Sequence, residues 1–137
     1  LPDLISQIIV PTAVWNEILD GSNEDRAAQL LPNLSWLTQQ AVSLTPDIIR
    51  WDLGAGETEV LSFGVQQSDF TAVLDDALAK KCAKAVGVPT LGTGSILILA
   101  KQQGLIDSVE QSLRTLQNIG LWISEPIIQM LKMKAGE

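Results

Sequence analysis

The sequence predicts an α/β fold, a three-layer α/β/α sandwich around a central parallel sheet. Three observations predict it. Short apolar runs alternate along the chain with segments of helical period. Those runs, Ile8-Ile9-Val10, Thr71-Ala72-Val73-Leu74 and Val88-Pro89-Thr90-Leu91, are continuous and not alternating, as in strands covered on both faces. Composition makes such a core feasible. The chain has 137 residues, 46% of them hydrophobic and 18% charged. That suits one domain over 1–137, able to bury about 68% of its unfolded surface. The same balance excludes disorder. The longest apolar run, Ile96-Leu97-Ile98-Leu99-Ala100, falls far short of the ~20 residues of a membrane span.

Taken in order, Ile8-Ile9-Val10 reads as the first strand. Pro11-Thr12 opens a helix with Val14, Trp15, Ile18 and Leu19 as its apolar stripe and Gly21 as its stop. Residues 22–25 read as a polar loop, and 27–31 as a short helix ending before Pro32. The stretch 34–44 is ambiguous, with Ala41-Val42-Ser43-Leu44 a candidate strand, and 45–51 reads as one helical turn. Val60, Leu61, Gly64 and Val65 follow Glu57 at helical offsets. The strand 71–74 runs into Asp75-Asp76. Leu78, Cys82, Ala85 and Val86 make the next helical stripe, with Lys80, Lys81 and Lys84 outside it. After strand 88–91, Gly92-Thr93-Gly94-Ser95 turns into a helix over 96–103, closed by Gly104. Asp107 with Glu110 matches a capping box for a helix with Val109, Leu113 and Leu116 inward and Gly120 at its end. Leu121-Trp122-Ile123 reads as an edge strand, and Ser124 as the cap of a last helix running to Met133. The chain opens at Leu1, without methionine or a charged leader, so residues are expected upstream.

What chemistry remains open follows from what is missing. There is no histidine and a single cysteine, Cys82. Ser-His-Asp triads, Cys-His pairs, histidine zinc sites and disulfide scaffolds are excluded. The net charge of −7 excludes a broad basic nucleic-acid surface, but not a nuclease whose bound cations invert the local field. Catalysis, if any, runs on carboxylates with a hard cation.

Ligands of open parallel sheets bind beyond the carboxyl ends of the strands, where Asp75-Asp76 falls. The pair reads as a helix cap, Asp75 at the N-cap and Asp76 in the first turn, or as ligands; the two roles coexist readily. Glu57 heads an otherwise apolar stripe. A carboxylate facing a sheet is costly unless paired or metal-bound. Its plain alternative is a first-turn acid favoured by the helix dipole, a job Glu59 would do equally well. Glu17, near the end of its helix, reads by itself as a solvated flank residue. Gly92-Thr93-Gly94-Ser95 lacks a P-loop lysine and the third glycine of a dinucleotide fingerprint. It reads as a tight turn from which Thr93 lends a hydroxyl to a neighbouring metal site. Lys80, Lys81 and Lys84 read as a solvated face or, beside carboxylates, as a grip on a phosphate backbone. Cys82 reads as a buried structural thiol.

Three segments taken together resemble a PIN domain: Ile9-Val10-Pro11-Thr12-Ala13-Val14-Trp15-Asn16-Glu17, Leu53-Gly54-Ala55-Gly56-Glu57-Thr58-Glu59-Val60-Leu61, and Val73-Leu74-Asp75-Asp76. Gly92-Thr93-Gly94-Ser95 ahead of Ala100-Lys101 and Gly104 adds to the match with bacterial PIN-like proteins of unknown function. The resemblance covers essentially the whole chain. It implies a metal-dependent ribonuclease fold, similar to the VapC-type toxin ribonucleases of toxin–antitoxin pairs. In that family acids gather at one sheet end to hold Mg²⁺ or Mn²⁺. The motif matches put Glu17, Glu57, Asp75 and Asp76 in the catalytic and metal-binding positions. RNA is then the substrate, Lys80, Lys81 and Lys84 its contacts, and an antitoxin protein or a second copy the partners to look for. A cytoplasmic location follows, with no membrane role. The family begins with a strand ending in Asp, for which nothing before Ile8 substitutes; its late acid is here Thr93. Those departures keep a second reading open, a catalytically inactive PIN-like module acting by association with protein or RNA. A receiver-type phosphoacceptor is disfavoured, because its acidic pair follows the first strand.

Overall fold

The computed structural model describes residues 3–20, 29–119 and 123–137. The chain divides into two compact units, 1–90 and 91–137.

In the first unit β1 (Ile8–Pro11) leads directly into α1 (Thr12–Leu19), with Pro11 at the N-cap. A 3-10 turn at Leu31–Asn33 precedes β2 (Leu37–Gln40). β1 and β2 pair in parallel, Ile8 opposite Leu37 and Pro11 opposite Gln40. The second strand thus lies four residues before the expected 41–44 segment, which has no regular structure. Thr38, Gln39 and Gln40 are exposed, so pairing with β1 selects the strand where hydrophobic pattern does not. The single helical turn α2 is Pro46–Ile49.

The helix α3 (Ala55–Gln66) buries Thr58, Leu61 and Ser62. Val65, expected on that stripe, is 42% exposed; Ser62 takes a core place, its hydroxyl accepting from the Thr45 amide at 3.0 Å. Gly64 touches Val88, and a Cβ there would stand 2.7 Å from a valine methyl. The strand β3 is short (Ala72–Val73). Val73 is 50% exposed between buried Ala72 and Leu74, an alternation the all-apolar run hides. β3 pairs with β4 (Thr90–Leu91). The described strands therefore form two two-stranded sheets between helices, an α/β fold.

The helix α4 (Ala77–Val86) ends on Gly87, whose left-handed φ of 79° suits glycine. Its buried face is Ala79, Cys82 and Ala83. Leu78 and Ala85, expected inside, are exposed: the stripe is rotated by one residue because two alanines fill the close approach. Ile48, Leu61, Ala72, Leu74, Ala79, Cys82, Ala83 and Val88 form the core of this unit, with Trp51 and Leu53 packed against it. Burial pushes the Cys82 thiol pKa up, as suits a structural cysteine.

The second unit is helical: α5 (Thr93–Gln102), α6 (Val109–Asn118) and α7 (Glu125–Lys134). α5 starts at Thr93, so Thr93, Gly94 and Ser95 are its first turn and not a preceding loop; Gly92 alone is the N-cap. Gly94 lets Leu131 close in, since a Cβ would lie 2.7 Å from its methyl. α6 is capped by Ser108, which accepts from the Gln111 amide at 3.1 Å. The capping residue is therefore one later than the expected Asp107, and Gln111 stands where Glu110 was expected. Val109, Leu113, Ile128 and Leu131 make this unit's core. Of the expected edge strand, residues 121 and 122 lie outside the described residues, as does Gly120; Ile123 is not in a strand. The expected loop 22–25 and residues 27 and 28 of the expected helix 27–31 also lie outside them; residues 29 and 30 are helical and Leu31 begins the 3-10 turn. No described helix is long and apolar enough to cross a membrane.

Candidate functional site

The site is built where α1, the start of α3 and the end of β3 meet within the first unit. α3 has Gly54 at its N-cap, with no side-chain cap. Its first-turn N–H groups have no partner within the helix, so they need outside acceptors. One comes from the neighbouring helix: the Gly56 amide donates to Glu17 Oε1 at 3.1 Å. A Cβ on residue 56 would stand 2.8 Å from Glu17 Oε2, so glycine makes the approach possible. Glu17 is thus exposed but held, which corrects its reading as a solvated flank. Gly54 does the same for Glu57, whose Oε2 would lie 2.6 Å from a Cβ at 54. Both acids sit by the α3 N-terminus, where its dipole favours negative charge.

Asp76 is the N-cap of α4, its Oδ2 accepting from the Ala79 amide at 2.9 Å. The capping residue is one later than the sequence suggested, and Asp75 stands just before the helix. Leu74 is buried and both aspartates are exposed, so the strand end delivers them to solvent.

Sequence reasoning missed Glu59. Its Oε2 accepts from the Ala13 amide at 2.8 Å, capping α1 from α3. The signal was present in Gly56-Glu57-Thr58-Glu59. Acids two apart on a helix point about 200° apart and cannot serve one site. Nor does Pro11, the N-cap of α1, offer a side-chain acceptor.

Glu17, Glu57, Asp75 and Asp76 all line one open cleft of about 200 Å³, with Val14, Gly56, Val60, Val73 and Leu74. Among the described residues no basic side chain forms an ion pair with Glu17, Glu57 or Asp76. An all-oxygen donor set in which Glu17, Glu57 and Asp76 have no ion-pair partner among the described residues fits a hard divalent cation. The fit is one of donor chemistry. Among the described residues no three Asp or Glu are gathered into a metal-holding group, and Glu17 and Asp76 already engage backbone amides.

Lys80, Lys81 and Lys84 are exposed on α4, the helix that Asp76 begins, and form no ion pair with described residues. Thr93 is the first residue of α5, in the second unit.

A family model described as DUF3368, a PIN domain, matches residues 1–137. No curated protein and no solved structure matches the chain.

Proposed function

The chain belongs to the DUF3368 family of PIN domains, a nuclease-like fold, and from that premise we propose that it is a metal-dependent endoribonuclease of the cytoplasm. The match across 1–137 supports treating both units as one PIN-like domain. The observation that carries the reading is the cleft. Carboxylates from three separate stretches of sequence line it, and three of the four meet no cation among the described residues.

Glu17, Glu57, Asp75 and Asp76 would hold the ion. Mg²⁺ or Mn²⁺ supplies an acidified water and stabilises charge on a phosphodiester. The Gly56 amide orients Glu17 and leaves Oε2 outside that hydrogen bond. The Ala79 amide does the same for Asp76, through Oδ2. Glu57 has no hydrogen bond to a described residue and can swing without breaking one. Val14, Val60 and Val73 give the cleft apolar walls, where water is less firmly held. Lys80, Lys81 and Lys84 offer unpaired charge to an RNA backbone, which needs such contacts for affinity. An antitoxin protein, and pairing with a second copy, belong to the toxin form of this reading.

The test is cleavage of single-stranded RNA by the full chain in Mn²⁺, with and without chelator. Metal-dependent cleavage lost in Glu57→Gln supports the reading; no cleavage under any condition defeats it. The second reading, a PIN-like module binding RNA or protein without catalysis, is favoured by one observation: no three carboxylates stand together as a metal-holding group among the described residues. Saturable RNA binding without cleavage is its signature.

A further inference from the structure

We infer that Glu59 is a positioning residue for the cleft. It holds the register of α1 against α3, and so places Glu17. The inference rests on the proposed function only for what Glu17 is placed to do.

Two hydrogen bonds cross between these packed helices, and they mirror each other. The Ala13 amide, second residue of α1, donates to Glu59 Oε2 of α3 at 2.8 Å. The Gly56 amide, second residue of α3, donates to Glu17 Oε1 of α1 at 3.1 Å. Each helix thus satisfies an orphan first-turn N–H of the other. Ala13 and Glu17 lie four apart on α1, and Gly56 and Glu59 three apart on α3, so each pair shares a face. The rungs are spaced by about 6 Å along α1 and about 4.5 Å along α3. Two rungs at matched spacing fix both the rotation and the sliding of α1 on α3, where one would allow a pivot. Glu59 is not among the residues lining the cleft. It acts through the helix that carries Glu17.

Both amides are ideal reporters, because neither has an acceptor within its own helix. Their hydrogen exchange reads the two rungs separately, without any metal. In the full chain, Glu59→Ala removes the acceptor, while Glu59→Gln keeps an oxygen in place. The expected result is that Glu59→Ala loses protection at Ala13 and, with it, at Gly56, although Glu17 is untouched. Glu59→Gln should restore protection at both. Mn²⁺ affinity, read by calorimetry, should fall about tenfold in Glu59→Ala, the lower end of what partners behind metal ligands contribute, and recover in Glu59→Gln. Should Glu59→Ala fail to fold, Glu59→Asp, one methylene shorter, should show the same paired loss. Unchanged protection at Gly56 in the folded Ala or Asp variant overturns the inference. If the unaltered chain binds no Mn²⁺, the ribonuclease reading falls, and the Gly56 amide still decides whether Glu59 positions Glu17.

Discussion

The cleft acids of the first unit and the paired acids of the second are held in opposite ways. In the second, Arg114 meets Glu125 in a two-pronged pair at 2.6 and 2.7 Å and reaches Glu110 at 3.6 Å. Lys132 closes on Glu110 at 2.8 Å. Glu137 accepts from the Val109 and Glu110 amides, the Ser108 hydroxyl and Lys101. In the first, three cleft acids meet only backbone amides or no described donor, and the three α4 lysines form no ion pair with described residues. Acids neutralised by side-chain cations are there for the fold. On the proposed reading, the cleft acids take a cation from outside and the α4 lysines an anionic backbone.

The contrast does not come from looser packing, and the largest expected effects test that. Leu61 and Leu113 are both fully buried, one in each core. Leu61→Ala and Leu113→Ala should each cost about 2–5 kcal/mol in denaturant unfolding. A negligible loss at Leu61 would mean the cleft rests on a soft scaffold. Next in size is Gly64→Ala, whose methyl would stand 2.7 Å from Val88 in the same core. Overpacking there should cost about 1–3 kcal/mol, and a neutral outcome would show that Val88 yields.

The charged groups should matter less to stability. Arg114→Ala should cost clearly less than either leucine truncation in the same denaturant unfolding, since the pairs it breaks are part-exposed. The smallest effect is a pH dependence. The Arg114 hydrogen bond holds the Glu125 carboxyl at about 2, against an ordinary 4.5. The Val109 amide, then Lys101 and Ser108, holds Glu137 at about 2 as well. Both pKa values are lowered on folding, so their contribution is present above 4.5 and lost as pH falls toward 2. Acid melts of the unaltered chain should lose stability over that window, and Arg114→Ala should lose less. Equal losses would remove Glu125 from the account.

The α/β class was legible because strand runs and helical stripes differ in period, and β1, α1, α3 and α4 fall where the sequence puts them. The rest depended on pairing the chain cannot display locally. β2 is a polar strand chosen by its partner, and α4 turns one residue from its hydrophobic stripe because alanines, not Leu78, fit the close approach. For the cleft, Glu57 and the Asp75-Asp76 pair were visible from phase and strand-end position. Glu17 was visible only through the motif it shares with PIN domains, since its partner amide lies 39 residues away. Glu59 escaped because its acceptor role depends on which helix packs beside it.

The central claim is that the uncompensated acids of the first unit form a cation site and the compensated acids of the second do not. Thermal melts across an Mn²⁺ titration test it most directly, on the unaltered chain, on Glu57→Gln, and on Glu110→Gln as the matched charge removal elsewhere. The expected result is a saturable rise in Tm for the unaltered chain and for Glu110→Gln, largely lost in Glu57→Gln, whose metal-free fold is as stable as before or slightly more so. The same rise in all three, or a rise in none, would contradict the account.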